Sequence, residues 1–206
     1  MGFYDSKILP FLIDKACGGS PVQAQREIVV PQARGEVLEI GIGSGLNLPF
    51  YDSSTVSNVW GLEPSAEMRV KAARVAAKVD IPVSFLGLSG EEIPLENASV
   101  DTVLVTYTLC TIPDVAAALQ QMRRVLKPDG KLIFCEHGLA PDASVRRWQN
   151  GLNPIWGKVS GGCNLNRPID ALVKQAGFEI ETLDTGYIAS PKFAGFNYWG
   201  TAKIGS

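Results

Sequence analysis

Short apolar runs of strand length alternate with stretches of helical period along this chain. Residues 37–40, 56–62, 82–88, 100–106 and 131–135 read as strands, and the first is apolar enough to be buried on both faces. Between them, residues 66–78 and 115–126 repeat apolar positions at helical spacing, and another helix is expected from about Leu48. Pro64-Ser65 opens the helix at 66, and Lys127-Pro128-Asp129-Gly130 stops the one that precedes residue 131. Upstream, residues 8–16 and 22–29 read as helices broken by Gly18-Gly19-Ser20-Pro21, which makes residues 1–33 an N-terminal helical flap. Downstream, residues 146–151 and 167–177 read as helices, and residues 178–182 and 198–202 as the last two strands. Strands alternating with helices imply an α/β fold with a doubly wound, mostly parallel sheet and a ligand crevice at the strands' carboxyl ends.

The 206 residues, 46% hydrophobic and 19% charged, supply a full core for one such domain and leave no length for a second. A formal charge of −2 and a pI near 5.5 give no broad cationic field, which argues against a nucleic-acid partner. No apolar run approaches the roughly 20 residues that span a bilayer, and the first residues show no signal peptide, so the cytoplasm is the expected compartment. The four cysteines, Cys17, Cys110, Cys135 and Cys163, lie far apart in sequence with no C-x-x-C pair. That spacing argues against a zinc site or a disulfide framework, and no metal is expected.

Chemistry concentrates where the first strand ends, in Glu39-Ile40-Gly41-Ile42-Gly43-Ser44-Gly45-Leu46-Asn47. Each glycine removes a Cβ, so the chain can turn tightly and its amides can approach a ligand. In the dinucleotide fingerprint G-x-G-x-x-G the third glycine comes three residues after the second; here it comes two after, and Leu46 takes the next slot. The pattern E-x-G-x-G-x-G resembles motif I of the class I S-adenosylmethionine (SAM)-dependent methyltransferases. The resemblance implies that Glu39, Gly41, Ile42, Gly43, Gly45, Asn47 and Leu48 wrap the methionine part of SAM. Glu63, eighteen positions past Gly45 at the end of the second strand, suits a carboxylate that accepts two hydrogen bonds from a ribose diol, with Pro64 and Met68 beside it.

Ser89-Gly90-Glu91-Glu92-Ile93-Pro94 resembles the family's adenine-contacting segment, Asp-Ala-x-x-Leu-Pro. Ser89 stands in the acid slot, which leaves Glu91 or the backbone around Gly90 to meet the adenine amino group. After the fourth strand comes Tyr107-Thr108-Leu109-Cys110-Thr111-Ile112-Pro113, which is not the Asn-Pro-Pro-Tyr type that accepts a base or amide nitrogen. Tyr107 and Thr108 are expected against the cofactor, with Tyr107 lining the sulfonium or donating its hydroxyl. The only histidine, His137, closes the fifth strand and is expected to act as a base or a hydrogen-bond group for substrate.

This histidine, the insert bearing Trp148 and Trp156, and Gly161-Gly162-Cys163-Asn164-Leu165-Asn166-Arg167 resemble the branch that holds the animal thiol methyltransferases and their soluble bacterial relatives. The resemblance implies one domain with a seven-stranded sheet, whose residues 34–138 form a cofactor-binding half and residues 139–206 a substrate-side half. It implies SAM as cofactor, S-adenosylhomocysteine (SAH) as product, and a small, apolar acceptor that is a thiol, an amine or a phenol. Tyr4, His137, Trp148 and Trp156 are the expected substrate contacts, with Tyr4 and Asp5 of the flap folding over the site. Alternatives are a phospholipid or quinone-type methyltransferase, a non-catalytic SAM- or SAH-binding regulatory module, and an NAD-dependent oxidoreductase. Ile8, Leu9, Phe11, Leu12 and Ile13 offer at most a peripheral membrane contact.

Overall fold

The computed structural model describes residues 17–189 and 191–205. Helix α1 (Ser20–Val29) carries Pro21 in its first turn, where no helical partner for its N–H is needed, and passes through a 3-10 turn (Val30–Gln32) into β1 (Gly35–Ile40). Next come β2 (Val56–Leu62), α2 (Ala66–Ala76), β3 (Val83–Leu86), β4 (Val100–Thr106), α3 (Val115–Val125) and β5 (Leu126–His137). They are followed by α4 (Ala143–Val159), α5 (Ile169–Gln175), β6 (Phe178–Tyr187), the single turn α6 (Lys192–Gly195) and β7 (Phe196–Ile204).

The strands form one seven-stranded sheet ordered β3-β2-β1-β4-β5-β7-β6, in which every pairing is parallel except the two that β7 makes with β5 and β6. The order reverses at β1, whose neighbours are β2 and β4, and the reversal leaves a crevice at the strands' carboxyl ends. Successive side chains of the central strands enter different cores. Val37, Leu104 and Ile133 pack on one face, while Leu38, Val103, Val105, Leu132 and Phe134 pack on the other. A period of two with both faces apolar is why these stretches read as continuous apolar runs.

The helix expected from Leu48 is reduced to a 3-10 turn, Leu48–Phe50. Tyr51 leaves it in an extended conformation (φ −68°, ψ 139°) and sends its hydroxyl to Glu39. Asp52 then accepts from both the amide and the hydroxyl of Ser54, a local turn that competes with helix. Helix α4 runs to seventeen residues, far beyond residues 146–151, although Pro154 lies inside it. Tertiary bonds hold that stretch, with Asn153 Oδ1 accepting from the Leu165 amide at 2.7 Å. β6 and β7 also run longer than expected; in β6, an edge strand, exposed polar residues hid the pattern. The helix expected over residues 8–16, Tyr4, Asp5 and the apolar flap residues lie outside the described residues. Among the described residues, no helix is long and apolar enough to cross a membrane.

One buried side chain ties the segment after β5 together. Gln149 of α4 is fully buried, and its Oε1 accepts from the Ala140 amide at 2.9 Å. Its Nε2 donates to the carbonyls of Gly138, Leu165 and Phe193 at 2.9, 2.9 and 3.1 Å. Buried backbone groups left without a partner cost about 1–3 kcal/mol each. Replacing Gln149 by the similarly sized Leu is therefore expected to lower unfolding free energy by about 2–4 kcal/mol in urea titration. A variant as stable as the wild type would show that these bonds contribute little.

Candidate active site

A cavity of about 400 Å³ opens at the carboxyl ends of β1, β2 and β4. Its wall takes Glu39, Gly41, Ile42, Gly43 and Asn47 from the first strand and loop, Glu63, Pro64, Ser65 and Met68 after β2, and residues 88–91 after β3. Tyr107, Thr108, Thr111, Ile112 and Pro113 contribute from beyond β4, and Cys17 and Arg26 reach in from the N-terminal side. Most of the expected cofactor contacts are thus brought together. Gly45 and Leu48 do not line the cavity, and both are buried in packing. Gly45 has φ +86°, and a Cβ there would stand 3.0 Å from Leu48 Cδ1 and 3.2 Å from the Ala72 backbone, so its glycine serves the approach of α2.

The loop amides have a use different from the expected one. Gly41 N and Ile42 N donate to the Leu62 carbonyl at 2.8 and 3.1 Å, Gly45 N donates to Ile42, and Gly43 N donates to Glu63 Oε2 at 3.2 Å. A pyrophosphate needs such donors turned toward it, together with a helix N-terminus. Here the donors are engaged within the chain, and the element after the loop is one 3-10 turn. The site therefore suits a neutral or cationic ligand rather than a dinucleotide.

Glu63 is held from both sides, with Oε1 accepting from the Ser65 amide at 2.8 Å and Oε2 from Gly43. Burial raises its pKa, and the Ser65 and Gly43 amides oppose that shift. Glu39 is buried, and its two oxygens accept from Tyr51 Oη at 2.7 Å and Asn47 Nδ2 at 2.8 Å. Asn47 Nδ2 also donates to Thr106 Oγ1, and Asn47 Oδ1 accepts from Arg26 Nε at 2.9 Å. Arg26 is buried too, donates to the Cys17 carbonyl, and lies 5.4 Å above the Tyr107 ring. Sequence gave no sign of Arg26, one basic residue in a mixed helix. Tyr107 takes φ +53°, unusual for a side chain of its size, and its hydroxyl meets the Cys135 thiol at 3.6 Å inside the fold. Burial pushes the pKa of that phenol far above its ordinary value.

His137 does not line the cavity. Its Nε2 lies 3.2 Å from Cys163 Sγ, and its buried Nδ1 has no hydrogen-bond partner among the described residues. Burial works against the imidazolium, but the hydrogen bond to Cys163 and the charges of Cys163 and Glu136 outweigh it and raise the pKa. Cys163 is lowered, by a hydrogen bond from Cys110, against burial, and by His137 and the Trp156 indole. Trp156 Nε1 donates to Cys163 Sγ at 3.3 Å and its ring meets Phe193 edge-on, so it supports the thiol rather than the cavity. Trp148 stands 68% exposed on α4 and does not line the cavity. Cysteines remote in sequence also prove close in space, since Cys110 Sγ, Cys163 Sγ and a ring nitrogen of His137 all lie within 4.8 Å of one another. Glu136, beside His137, accepts from the amides of Thr108 and Leu109 at 2.6 and 2.9 Å and fixes the loop that carries Cys110.

Burial raises Glu39 from an ordinary 4.5 to about 7, partly offset by Tyr51, Asn47 and Arg26. The folded chain then holds a proton that the unfolded chain releases, so this contribution is complete below pH 4.5 and is lost as pH rises through 7. In thermal or urea unfolding, stability of the wild type relative to Glu39→Gln is expected to fall by roughly 2–3 kcal/mol between about pH 5 and 8. Parallel pH profiles of the two proteins would contradict it.

Comparison with known proteins agrees with this geometry. A family described as a methyltransferase domain matches residues 38–134, from β1 through β5. The thiol S-methyltransferase TMT1B of Rattus norvegicus is 31% identical over 72% of this chain, and TMT1B of Homo sapiens 32% identical over 66%. The chain spans 62% and 57% of the length of these two relatives. An S-adenosylmethionine-dependent methyltransferase structure from Mesorhizobium loti superimposes with a TM-score of 0.67, covering 90% of this chain and 98% of that one at 18% identity. The structural match speaks for the fold alone, and the domain and sequence matches are similarities over part of the chain and of its relatives. Residues 38–134 thus match a methyltransferase domain, and the sheet has the fold seen in a SAM-dependent methyltransferase structure.

Proposed function

We propose that the protein moves the methyl group of SAM onto the sulfur of a small, apolar thiol. The observation that carries the reading is a single cavity in which Gly41, Gly43 and Glu63 face Tyr107, Thr111, Ile112 and Pro113. Glu63 would hold the ribose diol, the β1 loop the methionine end, and the segment from Ser89 to Glu91 the adenine. The inward-turned amides of that loop fit a sulfonium better than a phosphate. When bound, SAM supplies a methyl group already attached to a good leaving group. What the protein adds is alignment, an effect that can reach about 7–11 kcal/mol in well-oriented reactions.

A thiol acceptor agrees with the similarity to the two TMT1B proteins, whose names describe thiol S-methyltransferases. It also agrees with the wall beyond β4, where Ile112 and Pro113 offer apolar contact and no amide side chain waits for a nitrogen. His137 contributes by positioning Cys163, because its Nε2 is engaged there. A second reading, a lipid-like acceptor, draws on one feature of α4. Trp148, Ile155 and Val159 are 68%, 67% and 48% exposed along one side of the helix, near Arg147 and Lys158.

Isothermal titration is expected to show SAM binding by the wild type and a roughly 10- to 100-fold loss in Glu63→Ala, the value of a charge-assisted hydrogen bond or two. Undiminished binding by that variant would remove Glu63 from the cofactor site. With SAM bound, SAH formation is expected to be faster with small aromatic or alkyl thiols than with matched amines or phenols. Turnover of an amine or phenol with none for any thiol would overturn the acceptor, and turnover only with lipid in vesicles would favour the second reading.

A further inference from the structure

We propose that Cys110, His137 and Cys163 form a site for a soft divalent cation of the zinc class, with its open fourth position taken by the sulfur of the acceptor. The open position for an acceptor sulfur rests on the thiol reading above; the cation site itself does not. The three side chains come from the loop after β4, the end of β5 and the loop after α4, and their ligand atoms lie within 4.8 Å of one another. His137 Nε2 stands 3.2 Å from Cys163 Sγ. A tetrahedral ion with metal–sulfur bonds of about 2.3 Å and metal–nitrogen bonds of about 2.0–2.1 Å needs ligand atoms at this kind of spacing.

The surroundings are built to hold that arrangement. Asn164 donates twice to the Cys110 carbonyl, from its amide at 2.8 Å and from Nδ2 at 3.0 Å, which stitches the Cys163 loop to the Cys110 loop. The Trp156 indole N–H points at Cys163 Sγ, the type of outer hydrogen bond that suits a ligating thiolate. Among the described residues no fourth His, Cys, Asp or Glu joins the cluster. Three protein ligands and an open position are the pattern of catalytic rather than structural zinc. Thr111, next to Cys110, and Gly161, two residues before Cys163, both line the cavity, so the cluster is adjacent to its wall.

Coordination gives the acceptor thiol a route to its nucleophilic form. The thiol binds as thiolate and its proton leaves to solvent. The thiolate sulfur then forms the S–CH₃ bond as the sulfonium carbon–sulfur bond breaks, and that electron pair returns to the donor's sulfur as SAH. The neutral thioether is a weaker ligand than thiolate and leaves the ion to water. One proton is released for each methyl transferred, and nothing is oxidised.

The test is an anaerobic titration of the reduced, metal-stripped full chain with Co²⁺, read by absorption. The wild type is expected to bind one equivalent, with a thiolate-to-cobalt band in the near ultraviolet and intense tetrahedral bands in the visible. Cys163→Ser and His137→Gln are expected to lose that spectrum while retaining SAM binding by calorimetry, which shows that they remain folded. A small alkyl thiol is expected to shift the visible bands of the wild type, and a matched amine to leave them unchanged. Absence of the thiolate band, or an identical spectrum in Cys163→Ser, would overturn the site. Loss of two titratable thiols to a Cys110–Cys163 disulfide under these conditions would also overturn it. A cobalt spectrum that no thiol perturbs would keep the cation site and remove only the acceptor's place on it. Absence of thiol methylation with the spectrum intact would count against the function alone.

Discussion

A carboxylate sealed inside a protein must find its partners there, and Glu39 at the end of β1 imposes that condition on everything around it. Tyr51 and Asn47 bind its two oxygens, Arg26 binds Asn47, and Arg26 also covers the Tyr107 ring. Through these contacts one acidic group joins α1, the glycine loop, the turn before β2 and the loop after β4. The same demand keeps Tyr51 extended, and that ends the expected helix after one turn. The floor of the cavity is thus set by electrostatic necessity as much as by apolar packing.

The parts of the fold that sequence made legible are those whose physics is local. Two-sided burial of β1, β4 and β5 leaves unbroken apolar runs, and Ser65 and Asp114 cap their helices through their own side chains. That Glu63, Gly41 and Gly43 would meet at one cavity was legible, because a glycine loop and an acid at a fixed distance are rarely found together by chance. What sequence hid depends on tertiary partners. Gly45 and Leu48 belong to the motif but serve packing, and Arg26 acquires its role only when Asn47 and Tyr107 come under it. Cys110, His137 and Cys163 are separated by 27 and 26 positions, a spacing that no short motif reports. The place of Trp148 was hidden too, since an aromatic in a mixed insert reads as a pocket wall when the turn of its helix is unknown, and here it faces outward.

The two sides of the site are built by different means. At the cavity, backbone geometry at the ends of parallel strands fixes the glycine loop, and the side chains of Glu39 and Glu63 brace it. The cluster of Cys110, His137 and Cys163 is assembled from segments that meet only in three dimensions: the loop after β4, the end of β5 and the loop after α4. Glu136 connects the two, because its carboxylate at the end of β5 takes the amides of Thr108 and Leu109. A strand that belongs to the sheet's frame thereby sets the loop from which Tyr107, Cys110 and Thr111 project.

Gln149 gives this division a further meaning. One amide side chain satisfies four backbone groups, and so the region after β5 is anchored from within. The outward side chains of α4 carry little of that duty, Trp148 and Ile155 among them. Anchoring and outer surface are separable there: the exterior of α4 can be rewritten residue by residue, in nature or by design, while the scaffold that presents it stays in place.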